Sequence, residues 1–414
     1  MKTKLNLIVL FLFTAAFILS SCKEQPLHLE EGKWKGVFHT QGSEIPFNFS
    51  VEDDTLGTIN VFLTNAEEKT ILDSVRYERD SVIIPIEVYD AILVAKINSE
   101  GLSGYFRKNQ STKQGIPFHA VKGNAPRFDI QNQDISASVD GKWSVHLVND
   151  KDELRYTVGL LKQKGNIVTG TILTTTGDYR YLEGVIDGDS LKLSGFSGSN
   201  PSLLVAKLQD SVHLSGSFIS PGGKVRLEAL RSDTAKLPDP YSLTYLKKGY
   251  DKLSFSFPNL SGETISLEDD KYKGKVVVVT IQGSWCPNCV DEAAFLSPWY
   301  KQNKDRGVEI IGLSFERKDD LHFASERIGK LIDRFDITYD ILFAGLADKK
   351  LAGEKIPALS AVLSFPTTII IDQKGNVRKI HTGFTGPATG AYYDEFIKHF
   401  NADIDALLSE TSGV

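Results

Sequence analysis

The chain contains, at residues 275–289, the segment KVVVVTIQGSWCPNC, in which an apolar, β-branched run is followed almost directly by two cysteines. A short apolar run of this kind predicts a buried strand of a parallel sheet. The residues after it, VDEAAFL at 290–296, have a helical pattern. The sequence therefore predicts that Cys286 and Cys289 lie where a central strand passes into a helix.

The spacing of these two cysteines indicates redox chemistry. Cys286 is expected at the N-terminus of the helix, where unpaired backbone N–H groups and the helix dipole favour a thiolate. One helical turn brings Cys286 and Cys289 within the distance that a disulfide spans. Pro287 suits an early helical position, because a missing N–H costs little there. We predict a dithiol–disulfide centre.

The N-terminal residues have the pattern of a processed leader. Residues 1–4 are basic, residues 5–19 are apolar but short for a membrane span, and Leu19-Ser20-Ser21-Cys22 follows. This end resembles the lipobox of bacterial lipoproteins, in which the cysteine is acylated and becomes the mature N-terminus. The resemblance implies a signal peptide over residues 1–21, a lipid on Cys22 and a periplasm-facing location in the bacterial cell envelope. The alternative is an ordinary signal peptide with an incidental cysteine.

Composition limits the classes of function. The sequence has three cysteines, and a lipid on Cys22 leaves only the pair at 286 and 289, so that pair is predicted to be catalytic rather than structural. Loss of residues 1–21 lowers Lys+Arg from 47 to 45 against 53 Asp+Glu, which takes the formal charge from −6 to −8. An acidic chain argues against nucleic acid as a partner.

Residues 32–231 have the pattern of an all-β region. Short alternating segments with turn signals favour an antiparallel barrel or sandwich. The first predicted strands are 34–39, 46–51, 58–63, 71–77, 82–88, 92–97, 102–106 and 117–121. GKW at 32–34 matches GKW at 141–143, and LSGYF at 102–106 matches LSGSF at 214–218. We predict two repeated β units, over 32–124 and 138–231, preceded by a tether over 22–31. Whether they form two barrels or one larger sheet stays open.

The last part of the chain alternates strands with helices. After a linker over 232–250, the third unit covers 251–414. Its predicted strands are 254–257, 264–266, 276–281, 308–314, 340–343, 367–372 and 377–381, and its predicted helices are 290–304, 321–335 and 391–408 with a short one between 344 and 364. This alternation predicts an α/β fold with a parallel central sheet, and the turn at 373–376 predicts a late hairpin.

Several separate motifs in this unit carry a family resemblance. They are FSFPNLSG at 255–262, YKGKVV at 272–277, WCPNC at 285–289 with Glu292 three residues on, and FPTT at 365–368. With these motifs the unit resembles the thioredoxin-fold disulfide reductases of the TlpA/ResA type. The resemblance implies that Pro366 is cis and places the backbone of Phe365 opposite the sulfurs, where an extended substrate segment pairs with it. The alternative is a trans proline that opens a strand.

The resemblance also implies roles in a mechanism. Cys286, the more exposed thiol, attacks a substrate disulfide, and Cys289, the more buried one, resolves the mixed disulfide. Ordinary thioredoxins carry a buried Asp at the position of Thr280, so Glu292 is expected to accept the proton. The alternative for Glu292 is an acid that stabilises the first turn of the helix. Trp285 is expected to shield the disulfide.

The expected partners follow from this chemistry. Pro287 and Asn288 are expected to contact substrate together with Phe365. The redox-active disulfide needs no other cofactor, and the partners are disulfide-containing envelope proteins and a membrane electron donor. The loop over 344–364 is a candidate lid or rim of the substrate site.

The same residues argue against two other classes of function. A zinc site needs two further ligands, and His322, His381 and His399 have no paired spacing, so no metal is predicted. A peroxiredoxin would use one peroxidatic cysteine after a Pro/Thr pattern, which residues 283–285 lack. We predict a membrane-anchored thiol–disulfide oxidoreductase acting mainly as a reductase. The alternatives are an oxidase or isomerase, or an envelope-binding module in which the β units bind protein or glycan.

Overall fold

The computed structural model describes residues 28–53, 57–109, 111, 114–132 and 137–410. The predicted signal peptide and its Cys22 lie outside this part of the chain. The described part contains two antiparallel sheets of nine strands each, a two-stranded sheet and a five-stranded sheet. Among these residues, no helix is long and apolar enough to cross a membrane.

The first nine-stranded sheet is a meander whose strand order is β4-β3-β2-β1-β9-β8-β7-β6-β5. Its strands are β1 Gly32–Thr40, β2 Ser43–Asp53, β3 Ile59–Asn65, β4 Glu68–Leu72, β5 Arg76–Glu78, β6 Ser81–Ile86, β7 Ala91–Asn98, β8 Gly101–Lys108 and β9 Ile116–Lys122, with a 3-10 turn at Glu87–Tyr89. Alternate side chains of β1 and β2 point inward, so Trp34, Phe38 and Phe47 are buried. These side chains form an aromatic-rich core, which Phe196 of the second β unit enters with its ring centroid 4.7 Å from that of Phe38.

The prediction of one strand over 71–77 is wrong. The chain forms two strands there, because β4 pairs with β3 whereas β5 pairs with β6. Residues 73–75 form the connection between these two edges. Local alternation over ILDSVRY at 71–77 does not reveal that the pairing partner of the chain changes at the centre of this segment.

The second nine-stranded sheet closes on itself. Its strands are β10 Gly141–Val148, β11 Leu154–Lys164, β12 Ile167–Thr174, β13 Gly177–Asp178, β14 Leu182–Asp187, β15 Ser190–Gly195, β16 Ser202–Leu208, β17 His213–Ser220 and β18 Gly223–Arg231. Their order is β11-β10-β18-β17-β16-β15-β14-β12-β13, and β11 also pairs with β12, which completes a barrel. The two β units thus form separate sheets, each with its last long strand beside its first. Their origin in a sequence repeat stays a prediction.

The two β units are joined by a buried arginine. Arg127 follows β9 and donates hydrogen bonds to Asn48 Oδ1 at 3.0 Å, to Asn65 Oδ1 at 3.1 Å and to the Ser194 carbonyl at 3.0 Å. The first two partners belong to the first β unit, and Ser194 belongs to the second. Its buried guanidinium therefore links the two sheets with directed hydrogen bonds.

The C-terminal unit is α/β. Its elements are α1 Pro240–Leu243, β19 Ser256–Pro258, β20 Thr264–Ser266, β21 Val276–Gln282, α2 Pro287–Asn303, a 3-10 turn Lys304–Arg306, β22 Val308–Glu316, α3 Leu321–Phe335, β23 Asp340–Leu346, α4 Lys349–Lys355, β24 Thr367–Ile371, β25 Val377–Thr382, a 3-10 turn Pro387–Thr389 and α5 Ala391–Ser409. The five-stranded order is β23-β22-β21-β24-β25. The central strand β21 is buried at every position, as its apolar run predicts.

The central sheet is mixed, so the prediction of a parallel sheet is only partly right. Strands β21, β22 and β23 are parallel, because helices α2 and α3 cross over between them. Strand β24 runs antiparallel to β21, and β25 returns beside it through the short turn predicted at 373–376. A tight turn can join only antiparallel neighbours, which accounts for the difference.

The predicted linker over 232–250 is packed against the C-terminal unit. Tyr241 in α1 lies edge-on to His381, with ring centroids 4.9 Å apart. Leu246 forms an isolated β-bridge with Leu359. These contacts attach the segment between the second β unit and the α/β unit to β25 and to the loop before Pro366.

Candidate active site

The two cysteines lie at the junction of β21 and α2. Helix α2 begins at Pro287, and Cys286 is its N-cap residue, whose sulfur accepts a hydrogen bond from the backbone N–H of Cys289 at 3.3 Å. The Cys286 thiol also donates to the carbonyl of Phe365 at 3.2 Å. Both cysteines are free thiols. The structure therefore describes a reduced pair, one helical turn apart, whose first sulfur touches the backbone of the residue before Pro366.

Both thiols are buried. Cys286 has 5% of its surface exposed and Cys289 has 0%, so the expected order of exposure holds, but Cys286 is far less open than a helix start implies. Packing of the first turn of α2 against Phe365 accounts for this difference. Burial raises the pKa of the Cys289 thiol well above its usual range, and the neighbouring Cys286 and Glu292 raise it further.

The loop before Pro366 and the indole of Trp285 form one side of the site. The peptide bond between Phe365 and Pro366 is cis. Trp285 donates from Nε1 to the carbonyl of Phe315 at 2.9 Å, and its ring lies edge-on to Phe365 with centroids 5.6 Å apart. The guanidinium of Arg317 lies 4.8 Å from the Trp285 ring centroid. Trp285 is thus held beside the Cys286–Phe365 contact by a hydrogen bond and two ring contacts.

Glu292 is a buried carboxylate on the helix that carries the cysteines. Its exposure is 1%, which does not fit a solvated first-turn acid. It accepts hydrogen bonds from the hydroxyls of Thr280 and Thr368. Burial raises the pKa of Glu292 to about 7, although both hydroxyls lower it. The Thr280 position, which carries an acid in ordinary thioredoxins, thus supplies a donor to Glu292 instead.

A second buried carboxylate holds the turn before Trp285. Glu316, at the end of β22, accepts hydrogen bonds from the backbone N–H of Ser284 at 3.0 Å, from the Ser284 hydroxyl at 2.8 Å and from the Ser314 hydroxyl at 2.7 Å. Burial raises its pKa. The sequence alone does not reveal Glu316 as a site residue, because it reaches the turn from a neighbouring strand and belongs to no local motif.

The second β unit forms another side of the site. Its β12–β13 turn approaches so closely that a Cβ added at Gly177 would lie 2.2 Å from Asn288 Nδ2. Asn288 Nδ2 donates to the carbonyl of Phe384 at 3.1 Å. Ser364, the last residue of the loop predicted as a lid or rim, donates to the Thr176 carbonyl at 3.0 Å. Residues from the β unit therefore contact both the segment between the cysteines and the segment before Phe365.

A cleft of about 680 Å³ lies beside this contact. Pro287 and Asn288 form part of its wall, and the second β unit supplies Tyr179, Tyr181 and Phe196. The expected substrate-contact residues Pro287 and Asn288 thus face a cleft shared with the barrel. Among the residues that the structure describes, no group of three or more His, Cys, Asp or Glu side chains is arranged to hold a metal ion.

The fold and the dithiol at the start of α2 define a thioredoxin-like protein. The family described as AhpC/TSA matches residues 249–380. The thioredoxin-like protein YneN of Bacillus subtilis (strain 168) is 33% identical over 138 residues, which are 33% of this chain and 73% of YneN. Through this domain the chain belongs to the AhpC/TSA family.

A further curated protein and a solved structure are similar to this domain. The thiol-disulfide oxidoreductase ResA of Bacillus thuringiensis subsp. konkukian (strain 97-27) is 29% identical over 150 residues, which are 36% of this chain and 76% of ResA. A solved thiol-disulfide oxidoreductase from Bacteroides fragilis is 21% identical, with a TM-score of 0.27 over 36% of this chain and 99% of that chain. The predicted resemblance to the TlpA/ResA type and the enzyme class, thiol–disulfide oxidoreductase, are confirmed by the sequence relatives.

Proposed function

We propose that the protein is a lipid-anchored, extracytoplasmic reductase of protein disulfides. One arrangement carries the proposal. The Cys286 sulfur contacts the Phe365 carbonyl and the Cys289 N–H, and the buried Glu292 on the same helix raises the pKa of the Cys289 thiol. A thiolate in this position has a backbone donor to stabilise it and a neighbouring backbone segment against which a substrate chain can lie.

The first step is attack on the substrate. The Cys286 thiolate attacks one sulfur of a substrate disulfide, a bond forms between the two sulfurs, and the other substrate sulfur leaves as a thiolate that takes up a proton from solvent. Trp285 and the Phe365 backbone flank the attacking sulfur. Because Cys286 is 5% exposed, the groups that cover it move aside before a protein disulfide reaches it.

The second step resolves the mixed disulfide. Cys289 loses its proton to Glu292 and attacks the Cys286 sulfur, which releases the second substrate sulfur as a thiolate. The chain is left with a Cys286–Cys289 disulfide, and two electrons have passed to the substrate. A thiol reductant at the membrane then restores the dithiol by the same exchange in reverse. Glu292, with a pKa of about 7, suits the transfer of a proton at neutral pH.

Substrate selection involves the second β unit. Pro287 and Asn288 line the cleft together with barrel residues, and Gly177 packs directly on Asn288. We therefore assign the β units a part in choosing disulfide-containing envelope proteins, rather than a separate binding activity with an accessory redox domain.

The reduction potential of the Cys286–Cys289 pair tests the direction of the reaction. Equilibration of the mature protein with dithiothreitol or glutathione buffers is expected to yield a value near the thioredoxin end of the range, about −270 mV. A value near about −120 mV contradicts a reductase and indicates a disulfide donor. Failure of the two thiols to pair at any potential contradicts both.

Lipidation of Cys22 has its own test. In a bacterium that expresses the full chain, the wild-type protein is expected to carry labelled fatty acid and to be found in the membrane fraction. A Cys22→Ser variant is expected to lose the label and to leave that fraction, because a lipid chain supplies the anchor. A Cys286→Ser variant is the matched control and keeps the label. Label retained in Cys22→Ser contradicts the anchor.

A further inference from the structure

Arg180 joins all three units of the protein beside the cysteines. This residue of the second β unit donates to the Pro287 carbonyl at 3.3 Å and forms an ion pair with Asp291 Oδ1 at 2.9 Å, both in α2. It also pairs with Glu68 of the first β unit at 2.5 Å and donates to the Tyr89 hydroxyl at 3.0 Å. Its side chain is 15% exposed. One guanidinium thus contacts three parts of the chain that are distant in sequence.

The contacts of Arg180 hold the first turn of α2. Pro287 lies between the two cysteines, and Asp291 lies one turn further along the same helix. The Cys289 N–H that donates to the Cys286 sulfur belongs to the same turn. Arg180 Nη1 makes both contacts with α2, while Nε and Nη2 both donate to Glu68 Oε1. Because the guanidinium is planar and rigid, its hold on Glu68 fixes Nη1 against the turn on which that N–H···S contact depends.

In the cluster around Arg180, burial and ion pairing have opposite effects on the pKa values of Arg180 and Asp291. Burial opposes the charge on Arg180, but Asp291, Tyr89 and Glu68 raise its pKa, so it stays cationic. Burial raises the pKa of Asp291 to about 7, while Arg180 lowers it. Burial raises the pKa of Tyr89, whose hydroxyl accepts a hydrogen bond from Arg180 in the same cluster.

We propose that Arg180 is a positioning residue of the dithiol site, through which the second β unit sets the reduction potential of the Cys286–Cys289 pair. The proposal rests on the thiol–disulfide function proposed above. A fixed backbone N–H donor and a nearby cation both stabilise a thiolate. Stabilising the thiolate stabilises the reduced form and raises the reduction potential. Asp291 acts in the opposite sense.

The proposal makes predictions of opposite sign for two neighbouring residues. Arg180→Met keeps most of the side-chain volume but removes the cation, and the equilibrium constant for reduction by glutathione is expected to fall about fivefold, which is about 20 mV at about 30 mV per factor of ten. Asp291→Asn removes an acid and is expected to shift the potential upward by a similar factor. Arg180→Lys restores the charge and is expected to recover more than half of the loss.

Arg127→Met is the matched control. Arg127 is a buried arginine that links the two β units and contacts Asn48, Asn65 and Ser194, none of which is in the α/β unit. Its loss is expected to lower the melting temperature as Arg180→Met does and to leave the reduction potential unchanged. All four variants are measured in the full mature chain, by glutathione equilibration and by thermal unfolding.

The outcomes separate this proposal from the function on which it rests. Three results would each overturn the role of Arg180. The reduction potential could shift equally in Arg180→Met and Arg127→Met, or it could shift with the same sign in Arg180→Met and Asp291→Asn. The third result is an equilibrium constant for reduction that stays within a factor of about 1.5 of the wild-type value. A wild-type protein whose cysteines never form a disulfide would instead overturn the proposed function.

Discussion

A Cys289→Ser variant is expected to carry out the first half of the reaction and then stop. Cys286 keeps its place at the N-cap of α2, so it still attacks a substrate disulfide, but no second thiol remains to release the product. Turnover is expected to fall by at least about 10³-fold, and a one-to-one mixed disulfide with the substrate to accumulate. Mass spectrometry without reducing agent detects this covalent species, and a coupled assay of protein disulfide reduction measures turnover.

Cys286→Ser is the matched control for this experiment. It removes the attacking sulfur and leaves Cys289, which is fully buried and has a raised pKa because of that burial and its neighbours. This variant is expected to lose turnover to the same degree but to form no mixed disulfide. Near-normal turnover by Cys289→Ser, or covalent capture by Cys286→Ser, would contradict the assigned order of the two thiols.

Replacement of Glu292 by Gln is expected to slow the resolving step by about 10²-fold while attack by Cys286 changes little, because a general base contributes about this much. Gln keeps the shape of the side chain, and its amide oxygen can accept from one of the two threonine hydroxyls while its NH2 group donates to the other. In the wild type the rate is expected to rise with pH through about 7, where Glu292 becomes a carboxylate. In Glu292→Gln that rise is expected to be absent. Rapid-mixing measurements of attack and resolution between pH 5 and pH 9 test this.

The same substitution has a consequence of opposite sign for stability. The pKa of Glu292 is raised in the folded protein, from 4.5 to about 7, so the folded state binds the proton more tightly than the unfolded state. The contribution of protonated Glu292 to the free energy of unfolding is fully present below pH 4.5 and is lost as the pH rises through about 7. The full loss is about 3 kcal/mol, because each pKa unit corresponds to about 1.4 kcal/mol. Glu292→Gln is therefore expected to unfold at a higher temperature than the wild type at pH 8, with little difference at pH 4.

Glu292→Asp separates the two effects. It keeps an ionisable group but moves it back by one methylene, so it is expected to retain the pH dependence of resolution at a reduced rate. If Glu292→Gln resolves mixed disulfides at the wild-type rate, the proton of Cys289 has another acceptor. If Glu292→Gln is no more stable than the wild type at pH 8, ionisation of Glu292 does not destabilise the folded protein.

Much of the local structure around the dithiol was predictable. The run of β-branched residues over 276–281 predicted β21, because a strand buried on both faces needs apolar side chains at every position. The predicted helix 321–335 matches α3 at both ends, where Asp320 caps the N-terminus through its hydrogen bond to the Phe323 N–H. These features depend on neighbours within a few residues, so a single sequence contains them.

The sequence by itself determined which groups the site contains: two thiols one helical turn apart, a carboxylate three residues on, and an FPTT segment at the start of a strand. Tertiary structure alone decided the rest. It buried Cys286, brought Glu316 to Ser284, reversed β24 within the sheet and placed Arg180 against Pro287, 107 residues away. Burial and ion pairing depend on groups that meet only when separate units pack together, and such pairs leave no periodic pattern along the chain.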